Sequence, residues 1–419
     1  MPNIARIVAR EILDSRAIPT IEVSVLTNTG AFGTASVPSG ASTGSSEDVE
    51  LRDNDPHRYH GYGVLKAITN VTQIISPKLI GLEISNQEKI DQIMLDLDGT
   101  SNQKKLGANS ILAVSIACLK AAANAYKLPL FKYIGTRYRP GQALRIPGPL
   151  FNLINGGKHG AGNLDFQEFH VIPSTRLSFS DALRAGAETW TNLKTELIHR
   201  NAIHSVGDEG GFAPNLFTNA DALELMSLVI KNSPYRLGQD IFLGLDIAAD
   251  TFYKDGKYSI KDSPKSMSRA EISEFYVSLV KDYGLLGIED PLEQEDWSGW
   301  TELSHNLPSS VMVIGDDLIT TNAKRLQKAI DNKSCNAVIV KPTQAGTVTE
   351  TVELMKLAVA NSITTIASHR SGETNDSFIA DFAVGMGANY AKFGAPDRGE
   401  RVAKYNRLLE IESYLTPTN

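Results

Sequence analysis

Short apolar runs, each closed by a charged or polar residue, recur through the C-terminal part of the chain. Ile-Phe-Leu-Gly-Leu ends at Asp246, Leu-Leu-Gly-Ile at Glu289 and Asp290, and Val-Met-Val-Ile-Gly at Asp316 and Asp317. Ala-Val-Ile-Val ends at Lys341, Ile-Thr-Thr-Ile-Ala-Ser at His369, Arg370 and Ser371, and Asn-Tyr-Ala at Lys392. The first closing residues are spaced by 43, 27, 25, 28 and 23 positions. Between them, 269–282, 322–332 and 347–360 carry the apolar spacing of amphipathic helices. A strand, a helix and two turns take about 30 residues, so the spacing predicts repeated β/α units. In a barrel of such units the C-terminal strand ends form one rim, where function sits.

The N-terminal part reads differently. Residues 4–27 predict strand, turn, strand around Asp14-Ser15-Arg16, and 31–38 a third strand. Residues 37–44, Val-Pro-Ser-Gly-Ala-Ser-Thr-Gly, predict a mobile loop. Helices are expected over 64–76, stopped by Pro77, and over 86–97 and 108–127. Pro140-Gly141 and Pro147-Gly148-Pro149 mark a boundary. The fold class is therefore α/β: an α+β domain over 1–138, then an eight-stranded β/α (TIM-like) barrel over 139–419. Terminal Thr-Pro-Thr-Asn is expected to be disordered.

Composition narrows the function. A net charge of −7 argues against nucleic acid or an anionic membrane surface as partner, so an anionic substrate needs a local cationic site or a metal. Cys118 and Cys335 form no CxxC motif, and a reduced cytoplasmic chain is expected. The N-terminus lacks a signal-peptide core. The stretch 108–126 contains Asn109, Ser110, Ser115, Lys120 and Asn124, which favours a buried helix over membrane insertion.

Candidate chemistry sits at the run ends. Asp246, Glu289 and Asp316 form an all-oxygen set of the kind Mg2+ prefers, or three solvated turn acids. Lys341 is a candidate base, or a lysine reaching solvent from the rim; Lys392 is the cation that would lower its pKa. Glu168 and Glu209 read as a carboxylate pair for acid–base work, or as a turn acid beside structural glycines. His159 and His369 stand in glycine-rich or strand-end contexts. The Ser-His-Arg-Ser-Gly-Glu-Thr segment (368–374) suits phosphate, a helix N-cap, or both.

Taken together these residues resemble the enolase family, over essentially the whole chain. The resemblance rests on Asp-Ser-Arg-x-x-Pro-Thr-x-Glu-Val (14–23), the 37–44 loop with Glu-Leu-Arg-Asp (50–53), and Gly-Asp-Glu-Gly-Gly-Phe-Ala-Pro around Glu209. It rests equally on Ile-Glu-Asp-Pro (288–291), Gly-Asp-Asp-Leu (315–318), the 368–374 segment and Glu-Arg-Val-Ala-Lys-Tyr-Asn (400–406). The family implies a barrel with a ββαα start and one antiparallel strand. It also implies a lyase interconverting 2-phospho-D-glycerate and phosphoenolpyruvate in glycolysis and gluconeogenesis.

By the same resemblance Asp246, Glu289 and Asp316 hold one Mg2+, and Ser42 helps hold a second that arrives with substrate. Lys341 is the general base and is neutral when it acts. Glu209 is the general acid, with Glu168 its carboxylate partner. His159 serves the catalytic set, and Gln167, His369, Arg370, Ser371 and Lys392 bind substrate. Family members are homodimers, sometimes built into octamers. A relative acting on another carboxylate would not need Ser42 with Arg370 and Ser371, and a non-catalytic paralogue would not need Lys341 or Glu209. The chain departs from the family pattern at Ala17-Ile18, Tyr62, Thr343, Ala345, Phe393, Gly399 and Glu410.

Overall fold

The computed structural model describes residues 1–40, 47–160 and 164–416. Residues 41–44 of the 37–44 loop, including Ser42, and the last three residues lie outside the described residues. The chain opens with an antiparallel sheet of β1 (Ile4–Leu13), β2 (Pro19–Thr27) and β3 (Phe32–Ser36) in that order. Alternation sets its buried face: Ile21, Val23 and Val25 of β2 are fully buried. Helices α1 (Leu65–Thr69) and α2 (Ser76–Leu79) flank a π-helical turn over Asn70–Ile75. Pro77 therefore does not stop this helix as expected; it sits in the first turn of α2, where a missing N–H costs little.

Then come α3 (Gln87–Asp98), α4 (Ala108–Ala125) and α5 (Leu130–Tyr138). The pattern did not anticipate α5. Helix α4 is, among the described residues, the one helix long and apolar enough to cross a membrane, and 83% of that stretch is buried inside the protein. It packs on β2 and β3 as the core of the small domain.

The barrel begins with β4 (Gly148–Asn155) and β5 (Glu168–Pro173), followed by α6 (Phe179–His199), α7 (Asn219–Lys231) and β6 (Ile241–Asp246). A small ribbon, β7 (Tyr253–Lys254) with β8 (Lys257–Tyr258), precedes α8 (Arg269–Tyr283). Regular β/α units then follow: β9 (Leu285–Glu289), α9 (Trp297–Asn306), β10 (Met312–Gly315), α10 (Ala323–Asn332), β11 (Ala337–Val340), α11 (Pro342–Ala345), α12 (Val348–Ala360), β12 (Thr364–Ser368), α13 (Phe378–Met386), β13 (Tyr390–Lys392) and α14 (Gly399–Leu415). The barrel closes in the order β10-β11-β12-β13-β4-β5-β6-β9. All pairings are parallel except those of β5, which is antiparallel to β4 and to β6. Local signals set the helix ends: Thr218 with Asp221 and Ser268 with Glu271 are reciprocal capping boxes, and Gly284 ends α8 at φ +62°.

Leu150, Ile172, Met312, Ile314, Ala337, Ile339 and Ile366 pack together inside the barrel. Period-two alternation then puts Asn152, His170, Asp316, Lys341 and Ser368 on the same inward side, two residues nearer the rim. The apolar plug is the floor of the site.

Candidate active site

The rim encloses a cavity of about 130 Å3 lined by Lys158, His159, Gln167, Glu168, Glu209, Asp246, Asp316, Lys341, His369, Arg370, Ser371 and Lys392, among others. The described candidates therefore converge, except Glu289, which is fully buried and does not line the space.

Lys392 is the hub. Its Nζ lies 3.0 Å from Asp246 Oδ2, 2.9 Å from both oxygens of Glu289 and 3.1 Å from Glu168 Oε2. Burial disfavours its charge, but Asp246, Glu168 and Glu289 outweigh burial and hold the ammonium well above the ordinary lysine range. Gln167 donates from Nε2 to Asp246 Oδ2 at 3.3 Å, while its buried Oε1 has no hydrogen-bond partner among the described residues.

Lys341 pairs with Asp316. Burial, Arg370 and Lys392 all push its pKa down, yet Asp316 prevails and the pKa is raised. The expected neutral lysine is thus not the form this ion pair favours. Burial raises the Asp316 carboxyl, and Lys341 more than reverses that.

The carboxylate pair is bridged by histidine. His159 Nδ1 is 3.1 Å from Glu168 Oε1 and 3.5 Å from Glu209 Oε1. His170 Nε2 meets the other oxygen of Glu168 at 2.8 Å. Burial raises Glu168, but Lys392, His159 and His170 bring it well below the carboxylate range. Burial and the Glu168 charge raise Glu209, and His159 with His369 take it down to about 2. Glu209 also accepts from Asn152 Nδ2 at 3.1 Å. His369 Nε2 is 3.5 Å from Glu209 Oε2, and its Nδ1 accepts from Arg401 Nη1 at 2.6 Å, so the proton belongs on Nε2.

On the far wall Arg370 donates to Thr343 Oγ1 at 2.8 Å and to Glu47 Oε2 at 2.9 Å. Ser371 is buried beside it. Arg401 donates to the carbonyls of Arg370 and Ser371 at 2.6 Å each, fixing the backbone of both.

Asp246, Glu289 and Asp316 form a set of the ligand type that a hard divalent cation takes. The set is all carboxylate oxygen, and burial with the Asp246 charge pushes Glu289 well above its usual pKa, a repulsion that an added positive charge relieves. Two tighter groups also occur among the described residues, each with ligand atoms within 4.8 Å of one another: Asp290, Asp316 and Asp317, and His159, Glu168 and Glu209; neither contains Asp246 or Glu289. Asp290 holds φ +42° and accepts the backbone N–H of Asp316 at 2.9 Å and of Asp317 at 2.8 Å, so it orients the loop that presents Asp316.

The apolar runs did not reveal Asn152, His170, Glu47 or Arg401. The signal for Arg401 was in the sequence, because Arg401 and Lys404 share one face of α14 within the 400–406 motif. Both are buried at 1% exposure or less, where charge needs partners.

A closed β/α barrel behind a small α+β domain, with buried acids and lysines meeting at its rim, defines a lyase of the enolase superfamily. Residues 4–134 match the family described as Enolase, N-terminal domain, and residues 143–419 match Enolase, C-terminal TIM barrel domain; the chain belongs to the enolase family.

Proposed function

We propose that this protein interconverts 2-phospho-D-glycerate and phosphoenolpyruvate plus water. The carrying observation is that Lys341 and Glu209 line one small cavity together with Arg370 and Ser371. A base, an acid and an anion site in one enclosure suit β-elimination from a phosphorylated carboxylate. Lys341 takes the C2 proton and must be neutral to do so. Burial, Arg370 and Lys392 favour that state once the pull of Asp316 is engaged elsewhere. Arg370 and Ser371 take the phosphoryl group. Lys392 would meet the carboxylate that gathers negative charge as the proton leaves.

Hydroxide is a poor leaving group, so Glu209 must deliver a proton to it. Its low pKa in this arrangement means the proton comes from the shared Glu168–His159–Glu209 cluster. Burial lowers the His159 pKa, but Glu209 and Glu168 raise it above the usual value. Asp246, Glu289 and Asp316 would hold Mg2+, with Ser42 helping to hold a second ion. Bound there, Mg2+ supplies positive charge that stabilises the doubly negative carboxylate. The setting proposed is cytoplasmic glycolysis and gluconeogenesis, with a homodimer as the working assembly.

The test is the enol absorbance of phosphoenolpyruvate after adding 2-phosphoglycerate and Mg2+. Folded, metal-replete protein that turns over neither compound would overturn the assignment.

A further inference from the structure

The chain leaves β11 through Lys341 and turns at once into α11, a single turn that no role above employs. Its two central side chains are buried, Thr343 at 7% exposure and Gln344 at 3%. Each reaches a different part of the site. Thr343 Oγ1 accepts from Arg370 Nη1 at 2.8 Å. Gln344 Nε2 donates to Asp316 Oδ1 at 3.0 Å and to Glu47 Oε1 at 3.3 Å. Glu47 in turn takes Arg370 Nη2 at 2.9 Å through its other oxygen.

The Gln344 amide has only one satisfactory orientation. The Thr321 hydroxyl accepts the Lys341 backbone N–H at 2.9 Å, so its own proton is available to Gln344 Oε1, 2.6 Å away. Turning the amide over would set its NH2 against that hydroxyl proton and its carbonyl against two carboxylates. Thr320 and Thr321 hold φ +49° and +48°, a region that β-branched residues rarely enter. The backbone there is held by its surroundings, and the Thr321–Gln344 hydrogen bond is part of what holds it.

We propose that Thr343 and Gln344 are positioning residues, Thr343 in direct contact with Arg370 and Gln344 in direct contact with Asp316 and only through Glu47 with Arg370. Gln344 fixes the carboxylate plane of Asp316 for a divalent cation, and Thr343 fixes the guanidinium of Arg370 for phosphoryl oxygens. The proposal rests on the functional reading above, and its test separates the two. Thr343 is also a departure from the family pattern, so this chain meets the need with a hydroxyl.

The test uses the full chain with Mg2+ alone and with inorganic phosphate as probes. Gln344→Met should weaken Mg2+ binding, read as the midpoint of Mg2+-induced thermal stabilisation without substrate, by about tenfold. Its affinity for phosphate should change far less. Thr343→Val should leave the Mg2+ midpoint in place and weaken phosphate binding, read by calorimetry in saturating Mg2+, by about tenfold. In turnover the Thr343 change should appear in KM more than in kcat, and Thr343→Ser should restore it. If Gln344→Met does not fold, Gln344→Asn keeps the amide but shortens its reach and is read the same way. Variants that shift both midpoints together, or neither, would overturn the division of labour. A wild-type protein that binds Mg2+ and phosphate as described but turns over no 2-phosphoglycerate would sink the functional reading and leave this one standing.

Discussion

Lys120 Nζ lies 2.6 and 2.7 Å from the two carboxylate oxygens of Asp376, joining α4 of the small domain to the loop that leads into α13 of the barrel. The same ammonium donates to the Thr34 carbonyl at 2.9 Å, and Asp376 accepts the backbone N–H groups of Ser36 and Phe378. Burial raises the Asp376 carboxyl, but Lys120 and these N–H groups win and its pKa is lowered. A depressed carboxylate stabilises the fold above its unfolded pKa of about 3.9, and that contribution fades as pH falls through the folded value. Asp376→Asn should therefore cost about 3–5 kcal/mol at neutral pH, and less in acid. Denaturant unfolding from pH 7 down to 3 measures both; an equal cost throughout would contradict the pairing.

Lys341→Ala and Glu209→Gln should disable different half-reactions. Without Lys341, exchange of the substrate C2 hydrogen with solvent should fall by about 10²–10⁴-fold. Glu209→Gln should lose net dehydration while keeping part of that exchange, because proton loss precedes hydroxide departure. Isotope incorporation followed by NMR distinguishes the two. Wild-type exchange in Lys341→Ala would require another base.

Removing metal should abolish turnover, and Mg2+ should restore it. A ligand at about 100 times its Kd stabilises a fold by about 2.7 kcal/mol. Saturating Mg2+ should therefore raise the melting temperature of the wild type, and Glu289→Gln should lose most of that rise. Glu289 does not line the cavity, so an undiminished Mg2+ response in the variant would exclude it from the metal set.

The assembly prediction concerns Glu22 and Glu410: the family resemblance suggests that an acid on β2 meets an arginine of the partner's C-terminal helix, and these two positions here carry like charges. Within the chain Glu22 pairs with Arg10 at 2.6 Å and Glu410 with Arg407 at 2.7 Å. Each acid thus carries its own counter-charge, and the residual repulsion is that of a surface pair, about 0.5–1 kcal/mol. Light scattering on dilution should show a homodimer that Glu410→Arg tightens by about five- to thirtyfold, since a two-fold dimer makes the contact twice. A monomer at high concentration, or an unchanged midpoint, would count against this.

The strand ends were legible because inward alternation does not stop at the last apolar residue. Ile314 leads to Asp316 and Ile339 to Lys341 by the same two-residue step that builds the floor. Pairing direction was not legible this way, since β5 is buried along its whole length and the inward alternation of Glu168, His170 and Ile172 reads the same in either direction. The partners of the site residues were hidden as well. Asn152 reads as one polar residue in an apolar strand, and Glu47 as one acid in a polar run. Only the folded chain brings Glu47 beside Arg370, 323 positions away.

The reversed β5 has a consequence in counting. Because β5 runs from the rim to the floor, the chain must cross the barrel an even number of times before β6 can run upward. Helices α6 and α7 are those two crossings, and the bend between them is a landing on the rim that joins helix to helix. Glu209 stands on that landing, on a segment belonging to no strand end. One backward strand thus leaves the number of rim landings between β4 and β6 at two but changes what they join: Glu168 stands at the turn between two strands and Glu209 on the turn between two helices. Cutting the excursion to one helix would start β6 at the wrong end and carry Asp246 to the opposite mouth of the barrel.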